Sequence, residues 1–121
     1  MNIEQIRAYC LQKKGTTEAL PFDENTLVFK VLGKMFALTS LKSWEVGQAF
    51  VNLKADPEYA LELRAEYSSI RPGYHMNKKH WNTLYIHEGE LSPQIIIKLI
   101  NHSYDMVVKG MTKKMRAQLE E

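Results

Sequence analysis

Apolar residues recur at helical spacing near both ends of the chain, and alternate with polar residues in between. Ile3, Ile6 and Cys10 line one face of a predicted first helix. Asn2 precedes this face and can cap the helix, and Gly15 is expected to end it. The pattern therefore predicts an amphipathic helix that packs on a core.

Strand-like segments follow this helix. Residues 26–32 form a β-branched and aromatic run, and residues 35–39 form a second apolar run. Gly33 and Lys34 lie between the runs, as expected of a two-residue hairpin turn. Apolar and polar residues alternate again over 46–53, which predicts a third strand. We expect these strands to form an antiparallel meander, with residues 16–25 as a connector.

The second half of the chain contains three helix starts. Asp56 followed by Pro57 predicts a helix to about Tyr67, and Ser92 followed by Pro93 predicts another. Thr112 can cap a short last helix. The helix after Pro93 has a stripe expected to be buried and a glycine stop: Ile96, Leu99, Ile100, Tyr104, Val107 and Gly110. Residues 68–82 are predicted to be an ordered loop, and 83–87 a fourth strand.

The predicted strands and helices indicate one α+β domain covering residues 1–121, an antiparallel sheet with helices packed on it, and the composition is that of an ordinary soluble globular protein. The chain is 45% hydrophobic and 25% charged, and it contains no apolar run long enough for a membrane span. Cys10 is the only cysteine, so no intramolecular disulfide is expected, and a reducing compartment follows. We therefore expect a cytoplasmic protein without a membrane segment, most simply a monomer.

Charge is unevenly distributed, although the net charge is only +2. Residues 25–44 and 67–87 contain lysine and arginine but no aspartate or glutamate. A third acid-free stretch contains Lys109, Lys113, Lys114 and Arg116. Acids gather instead at 56–66 and in a few other places. The sequence therefore predicts a basic side and an acidic side, with Lys30 or Lys34 on the same side as Lys78 and Lys79.

The most informative stretch runs from Arg71 to Asn82 and reads RPGYHMNKKHWN. Its PGYHMNKKHWN core resembles the signature of the MmcQ/YjbR family. Further pieces of similar sequence occur in the same order: residues 18–22, 29–31, 33–36 and 103–104. The resemblance implies a compact antiparallel sheet with packed helices, of the frataxin-like or double-wing type. It also implies DNA binding, because members of the family are often described so; that description rests on fold and surface analogy.

Cations and rings in this loop have the chemistry of a nucleic-acid interface. Lysine and arginine neutralise phosphates, and aromatic rings stack on exposed bases. The candidate contacts are Lys34, Arg71, Tyr74, His75, Asn77, Lys78, Lys79, His80 and Trp81. The structural alternative is that the rings fold inward to hold the loop, which predicts a buried Trp81, and that Lys78 and Lys79 form a solvated pair.

Two other function classes remain open. A metal site or enzyme would draw on His75, His80 and His87, but their spacing is not that of a zinc motif. Cys10 falls on the apolar face of the first helix, where a thiol is inert. A protein-interaction module could use five methionines as an adaptable surface: Met35, Met76, Met106, Met111 and Met115. No cofactor or metal is predicted.

Overall fold

The computed structural model describes residues 1–120. Its helices are α1 (Ile3–Gln12), α2 (Leu41–Glu45), α3 (Pro57–Glu66), α4 (Pro93–Lys109) and α5 (Lys113–Leu119). Its strands are β1 (Thr16–Ala19), β2 (Thr26–Val31), β3 (Lys34–Ser40), β4 (Val51–Lys54), β5 (Ile70–Pro72) and β6 (Trp81–Leu84). A 3₁₀ turn, Ile86–Glu88, follows β6.

All six strands join one antiparallel sheet in the order β1-β2-β3-β4-β6-β5. The predicted α+β class is confirmed, and β2, β3 and β4 form the predicted meander. β6 lies between β4 and the edge strand β5, so the chain after α3 first forms one edge of the sheet and then pairs with β4. This pairing brings the Arg71 to Asn82 stretch beside the central strands.

The predicted helix starts are confirmed, because each has its capping bond. Asn2 forms a capping box with Gln5 at the start of α1. Asp56, Ser92 and Thr112 accept backbone N–H bonds at the starts of α3, α4 and α5. α1 ends at Gln12, a little before the expected Gly15. These ends were predictable because a cap needs only residues adjacent in sequence.

The predicted third strand over 46–53 is wrong in its first half. Ser40 accepts a hydrogen bond from the Ser43 N–H and begins the short helix α2. Gly47 then has a φ of 73°, a left-handed conformation outside the range of regular strands. Strand pairing starts only at Val51. The alternation was misleading because it spans a helix end and a turn.

Other strand limits also differ from the prediction. The presumed connector contains β1, and the presumed loop contains β5; both are short edge strands that gain their pairing from a neighbour. β6 covers 81–84 instead of 83–87, because the chain leaves the sheet for the 3₁₀ turn. The hairpin turn is Leu32 and Gly33, not Gly33 and Lys34. Both have positive φ (48° and 82°), as a type I′ turn requires.

The two faces of the sheet differ in what covers them. Helices α1, α3 and α4 pack on one face, where Ser103 of α4 donates to the carbonyl of Phe36 and accepts from the Lys54 N–H. Cross-strand partners on the other face, called the open face here, include Val28, Leu38, Asn52 and Thr83. Val28, Asn52 and Thr83 are themselves buried, so a ligand would meet this face only where a groove is left between the loops that cover it.

Candidate functional site

A groove of about 480 Å³ crosses the open face. Its volume lies in the range of sites for small organic ligands. The floor and one end come from β2, β3 and β4: Thr26, Met35, Leu38, Ser40 and Asn52. The walls come from two loops and the residue before β4: Phe22, Asn25, Phe50, Tyr74, His75 and Met76. The groove is therefore mainly apolar, with a few amide and hydroxyl groups.

The Tyr74 wall is a tight turn over residues 73–76. The Met76 N–H donates to the Gly73 carbonyl at 3.2 Å, and His75 has a left-handed φ of 57°. A Cβ on Gly73 would lie 2.9 Å from both the Cβ and the carbonyl oxygen of Trp81. Only glycine allows this close approach of the loop to β6. The turn is held in one conformation, and it leaves Tyr74 54% exposed.

Two buried polar side chains on the open face anchor this turn. Thr83 Oγ1 donates to Asn52 Oδ1 at 2.6 Å and accepts from the Tyr74 N–H at 2.9 Å. Asn52 Nδ2 donates to the Tyr74 carbonyl at 3.3 Å. Both backbone groups of Tyr74 are thus bonded to the centre of the sheet. The ring is positioned by its backbone and by the His75 ring, whose centroid lies 4.0 Å from that of Tyr74. The part of the ring that stays exposed can still meet a ligand.

The opposite wall is the loop that carries Phe22, which is 71% exposed. Asp23 caps this loop, accepting from the N–H groups of Asn25 and Thr26 at 2.8 and 2.6 Å. These hydrogen bonds lower the pKa of Asp23, the Thr26 N–H contributing most. The side chain of Asn25 joins the loop to Ser40 and to the Lys42 N–H. Phe22 therefore stands on a fixed support.

A second groove of about 340 Å³ lies on the other side of Phe50 and Tyr74. The Phe50 ring is 6.4 Å from Tyr74 and 6.3 Å from Tyr85. Arg71 lies 4.5 Å over the Tyr85 ring, and its Nη2 donates to both carboxylate oxygens of Glu88 at 2.7 Å. The guanidinium is already paired, so Arg71 positions Tyr85 instead of offering an uncompensated charge.

The remaining part of the motif, residues 77–82, is held by α3. Arg64 donates to the side chain of Asn82 at 2.6 Å and to the carbonyls of Lys78 and Trp81. The Lys78 ammonium donates to the Gly73 carbonyl at 3.1 Å. Trp81 is only 9% exposed, as predicted, so it supports the loop and cannot stack on a ligand.

Asn77 and the end of the sheet complete the set of predicted contacts. Asn77 Oδ1 accepts from the Lys79 N–H, and its carbonyl accepts from the N–H of His80. Continuing the strand registers puts Lys34 and the turn 77–80 at the same end of the sheet. Lys34 and Lys79 are exposed and take no part in the ion pairs found within residues 1–120. These two are the loop-end cations best placed to meet an anion.

The histidines do not assemble into a cation site. His75 lies on the groove wall, His80 in the turn before β6 and His87 in the 3₁₀ turn. Over residues 1–120, no three His, Cys, Asp or Glu side chains are grouped in a way that could hold a metal.

No helix within residues 1–120 is long and apolar enough to cross a membrane.

Sequence reasoning missed half of this groove. Phe22, Phe50 and Asn52 lie outside the motif and carry no local signal, since an exposed ring in a loop looks like any other loop residue. The sequence did carry an indirect signal, because Phe22 lies within residues 18–22, one of the segments that resemble the MmcQ/YjbR family. Only the strand order brings these residues beside Tyr74.

Residues 11–106 match the family model described as YjbR. The chain belongs to the YjbR family. YjbR of Escherichia coli K12 is 34% identical over 119 residues, which cover 98% of each chain. YbdF of Escherichia coli O157:H7 is 46% identical over 94 residues, 78% of this chain and 74% of that protein.

Solved structures of similar proteins share the YjbR-family fold. The crystal structure of protein DR2400 from Deinococcus radiodurans superposes with a TM-score of 0.86 at 39% identity, over 98% of this chain and 88% of that one. It is described by the family-model domain DUF419. A Pseudomonas syringae protein superposes with a TM-score of 0.73 at 30% identity, over 88% of this chain and 98% of that one. These relatives establish family and fold, and function is argued from the groove.

Proposed function

We propose that this YjbR-family protein binds single-stranded nucleic acid, DNA in the first instance, in the open-face groove. The observation that carries the proposal is the pair of exposed rings, Phe22 and Tyr74, on opposite walls of an apolar groove. Bases stack on such rings whatever their sequence, because every base has a flat π-face.

Preorganisation of both walls supports the proposal. Asp23 and Asn25 hold the Phe22 loop, and Asn52 with Thr83 holds the Tyr74 turn. A ligand that enters the groove therefore orders little additional backbone. Less of the stacking energy is then offset by lost conformational entropy.

The amide groups of the groove favour sequence-tolerant binding. Asn52 and Asn25 each use both their side-chain oxygen and nitrogen within the protein. Asn52 is also only 1% exposed, so a base edge has little access to its amide. We therefore expect a preference for single strands over duplex, whose bases are already stacked, and little preference among sequences.

Phosphates would meet the cations at the groove end. Lys30 pairs with Met35 across the β2–β3 hairpin, and Met35 lines the groove. Lys34 and Lys79 lie at the same end of the sheet. A cytoplasmic location is part of this proposal. It agrees with DNA as the proposed ligand and with Cys10, which is a free thiol.

The proposal is tested by titrating a fluorescent oligothymidylate and following its anisotropy. Tyr74→Ala and Phe22→Ala should each weaken binding by about 1 to 3 kcal/mol, roughly 5- to 150-fold, because each removes a stacking platform. Val46→Ala is the matched control: Val46 is 52% exposed but lines neither groove. Circular dichroism melts should show all three variants folded.

Two results would contradict the proposal. One is the absence of binding by the wild-type protein to single strands at low salt. The other is wild-type affinity in both ring variants. A sharp fall in melting temperature for Tyr74→Ala would instead assign that ring to the structural role considered from the sequence.

A further inference from the structure

A second charged region lies where the end of α5 meets the β2–β3 turn. A Cβ on Gly15 would lie 2.6 Å from a methyl of Leu119 and 3.4 Å from one of Leu32. The last turn of α5, the segment after α1 and the hairpin turn are therefore packed together. α5 is seven residues long, about 10 Å, so its start also lies close to this junction.

Seven basic residues lie on the elements that meet at this junction or within a few residues of them along the chain, and we call this set the basic end. It consists of Lys13, Lys14, Lys34, Lys109, Lys113, Lys114 and Arg116. Residues 106–119 contain no acid. None of the seven takes part in the ion pairs found within residues 1–120, which join Arg7 to Glu18, Lys42 to Glu45 and Arg71 to Glu88. Two acids flank residues 106–119 within residues 1–120, Asp105 on α4 and Glu120 after α5, so the seven cations leave the basic end with an excess of positive charge.

Part of the basic end is fixed by aromatic residues. The Lys13 ammonium lies 4.8 Å over the Tyr104 ring and 5.5 Å over that of Tyr9. The Tyr104 hydroxyl donates to the Lys14 carbonyl. The segment that carries both lysines is thus tied to α4, and the Lys13 ammonium is held over the Tyr104 ring.

The basic end continues the open-face groove. Met35 closes one end of the groove, and its cross-strand partner on β2 is Lys30. Lys34 precedes Met35 and follows the turn that carries Leu32, which packs near Gly15 and Leu119. A chain leaving the groove past Met35 would therefore reach Lys30 and Lys34 first, and α5 next.

We infer that the basic end extends the binding track, taking the phosphates of a strand whose bases occupy the groove. This inference rests on the function proposed above. A polyanion suits the surface because it offers a row of phosphates to a row of unmatched cations. An anionic membrane suits it less, since membrane helices present large apolar side chains to the lipid. The large exposed apolar residues within 1–120 are Leu20, Phe22, Val46, Leu61 and Tyr74, and none lies on α5.

The test compares a short strand with a long one. Tetrathymidylate is short enough to be held by the groove alone, whereas dodecathymidylate can also reach the basic end. The variant Lys113→Gln, Lys114→Gln is measured against the control Lys98→Gln, which removes a positive charge from an exposed site on α4 that lies in neither the groove nor the basic end. For dodecathymidylate, the first variant should have a salt slope shallower by about 1.4, from about 0.7 per phosphate contact.

Between roughly 50 and 200 mM salt, the affinity for dodecathymidylate should therefore fall by a factor about sevenfold smaller in Lys113→Gln, Lys114→Gln than in wild type. The affinity of this variant for tetrathymidylate should stay within about twofold of wild type. The control variant should bind both strands with affinities within about twofold of wild type. An unchanged slope for dodecathymidylate would overturn the inference while leaving the groove proposal intact. Failure of the wild type to bind tetrathymidylate would refute the groove proposal itself. A third outcome is an unchanged salt slope for dodecathymidylate in Lys113→Gln, Lys114→Gln, while this variant loses the wild-type binding to phosphatidylglycerol vesicles. That result would assign the basic end to a membrane and overturn the inference.

Discussion

Gly73 is the residue on which the Tyr74 turn closes against β6. Its missing side chain permits the carbonyl of Trp81 and the Cβ of Met76 to approach, and its carbonyl accepts from the Lys78 ammonium. The motif therefore contains two kinds of residue. Gly73, Lys78 and Trp81 build the turn, and Tyr74 faces solvent from it.

Gly73→Ala should destabilise the protein by about 1 to 3 kcal/mol, because the new methyl would overlap backbone that cannot move freely. Gly110→Ala is the control, since a Cβ there would meet only ordinary contacts at 3.5 Å and beyond. The two variants should differ clearly in urea midpoint. Equal midpoints would show that the turn can relax, and that Gly73 does not determine its position.

Helices α3 and α4 are coupled through one imidazole. His102 Nε2 accepts from the Asp56 N–H at 3.1 Å, where Asp56 caps α3, and its ring meets Tyr59 edge-on at 4.7 Å. Burial lowers the pKa of His102 below its ordinary value of 6.5, although Asp56 and Asp105 act in the opposite direction. A protonated Nε2 could not accept the bond, so this contact requires the neutral ring.

Stability should therefore depend on pH through His102. Because its pKa is lower in the folded state, the folded protein binds fewer protons than the unfolded chain. The stabilisation that the neutral His102 ring provides is complete above pH 6.5, and it is lost as the pH falls through the pKa of His102 in the folded protein. The urea midpoint of wild type should fall between about pH 7 and pH 5, and less in His102→Gln. Parallel pH profiles for the two proteins would exclude this role.

At the scale of the whole molecule, one core supports a polarised surface. Ile6 and Cys10 of α1 join Phe29, Phe36 and Ile100 in the core on the helix-covered face. The basic end contrasts with the acids of α3 and its flanks. The net charge of +2 hides this asymmetry, because acids and bases nearly cancel in the sum but lie in different places.

The rate at which the Cys10 thiol reacts measures how often this core opens. Its side chain is fully buried, and burial raises its pKa to about 12. We expect a thiol reagent at neutral pH to modify Cys10 on the order of a thousandfold or more slower than a free thiol, since reaction requires global opening. Adding urea should accelerate labelling in step with unfolding. Rapid labelling of the native protein would show that α1 opens locally.

The sequence by itself determined helices α1, α3, α4 and α5, the α+β class and the burial of Trp81 and Cys10. Caps and helical periodicity act over a few neighbouring residues, so they can be read locally. It also pointed to the motif loop, whose Tyr74 does form one groove wall. Tertiary structure alone decided the other wall, the edge strands β1 and β5, and the pairing of Arg71 with Glu88. These features depend on strand order and on contacts between residues far apart in the chain, and no local pattern encodes which strand will lie beside which.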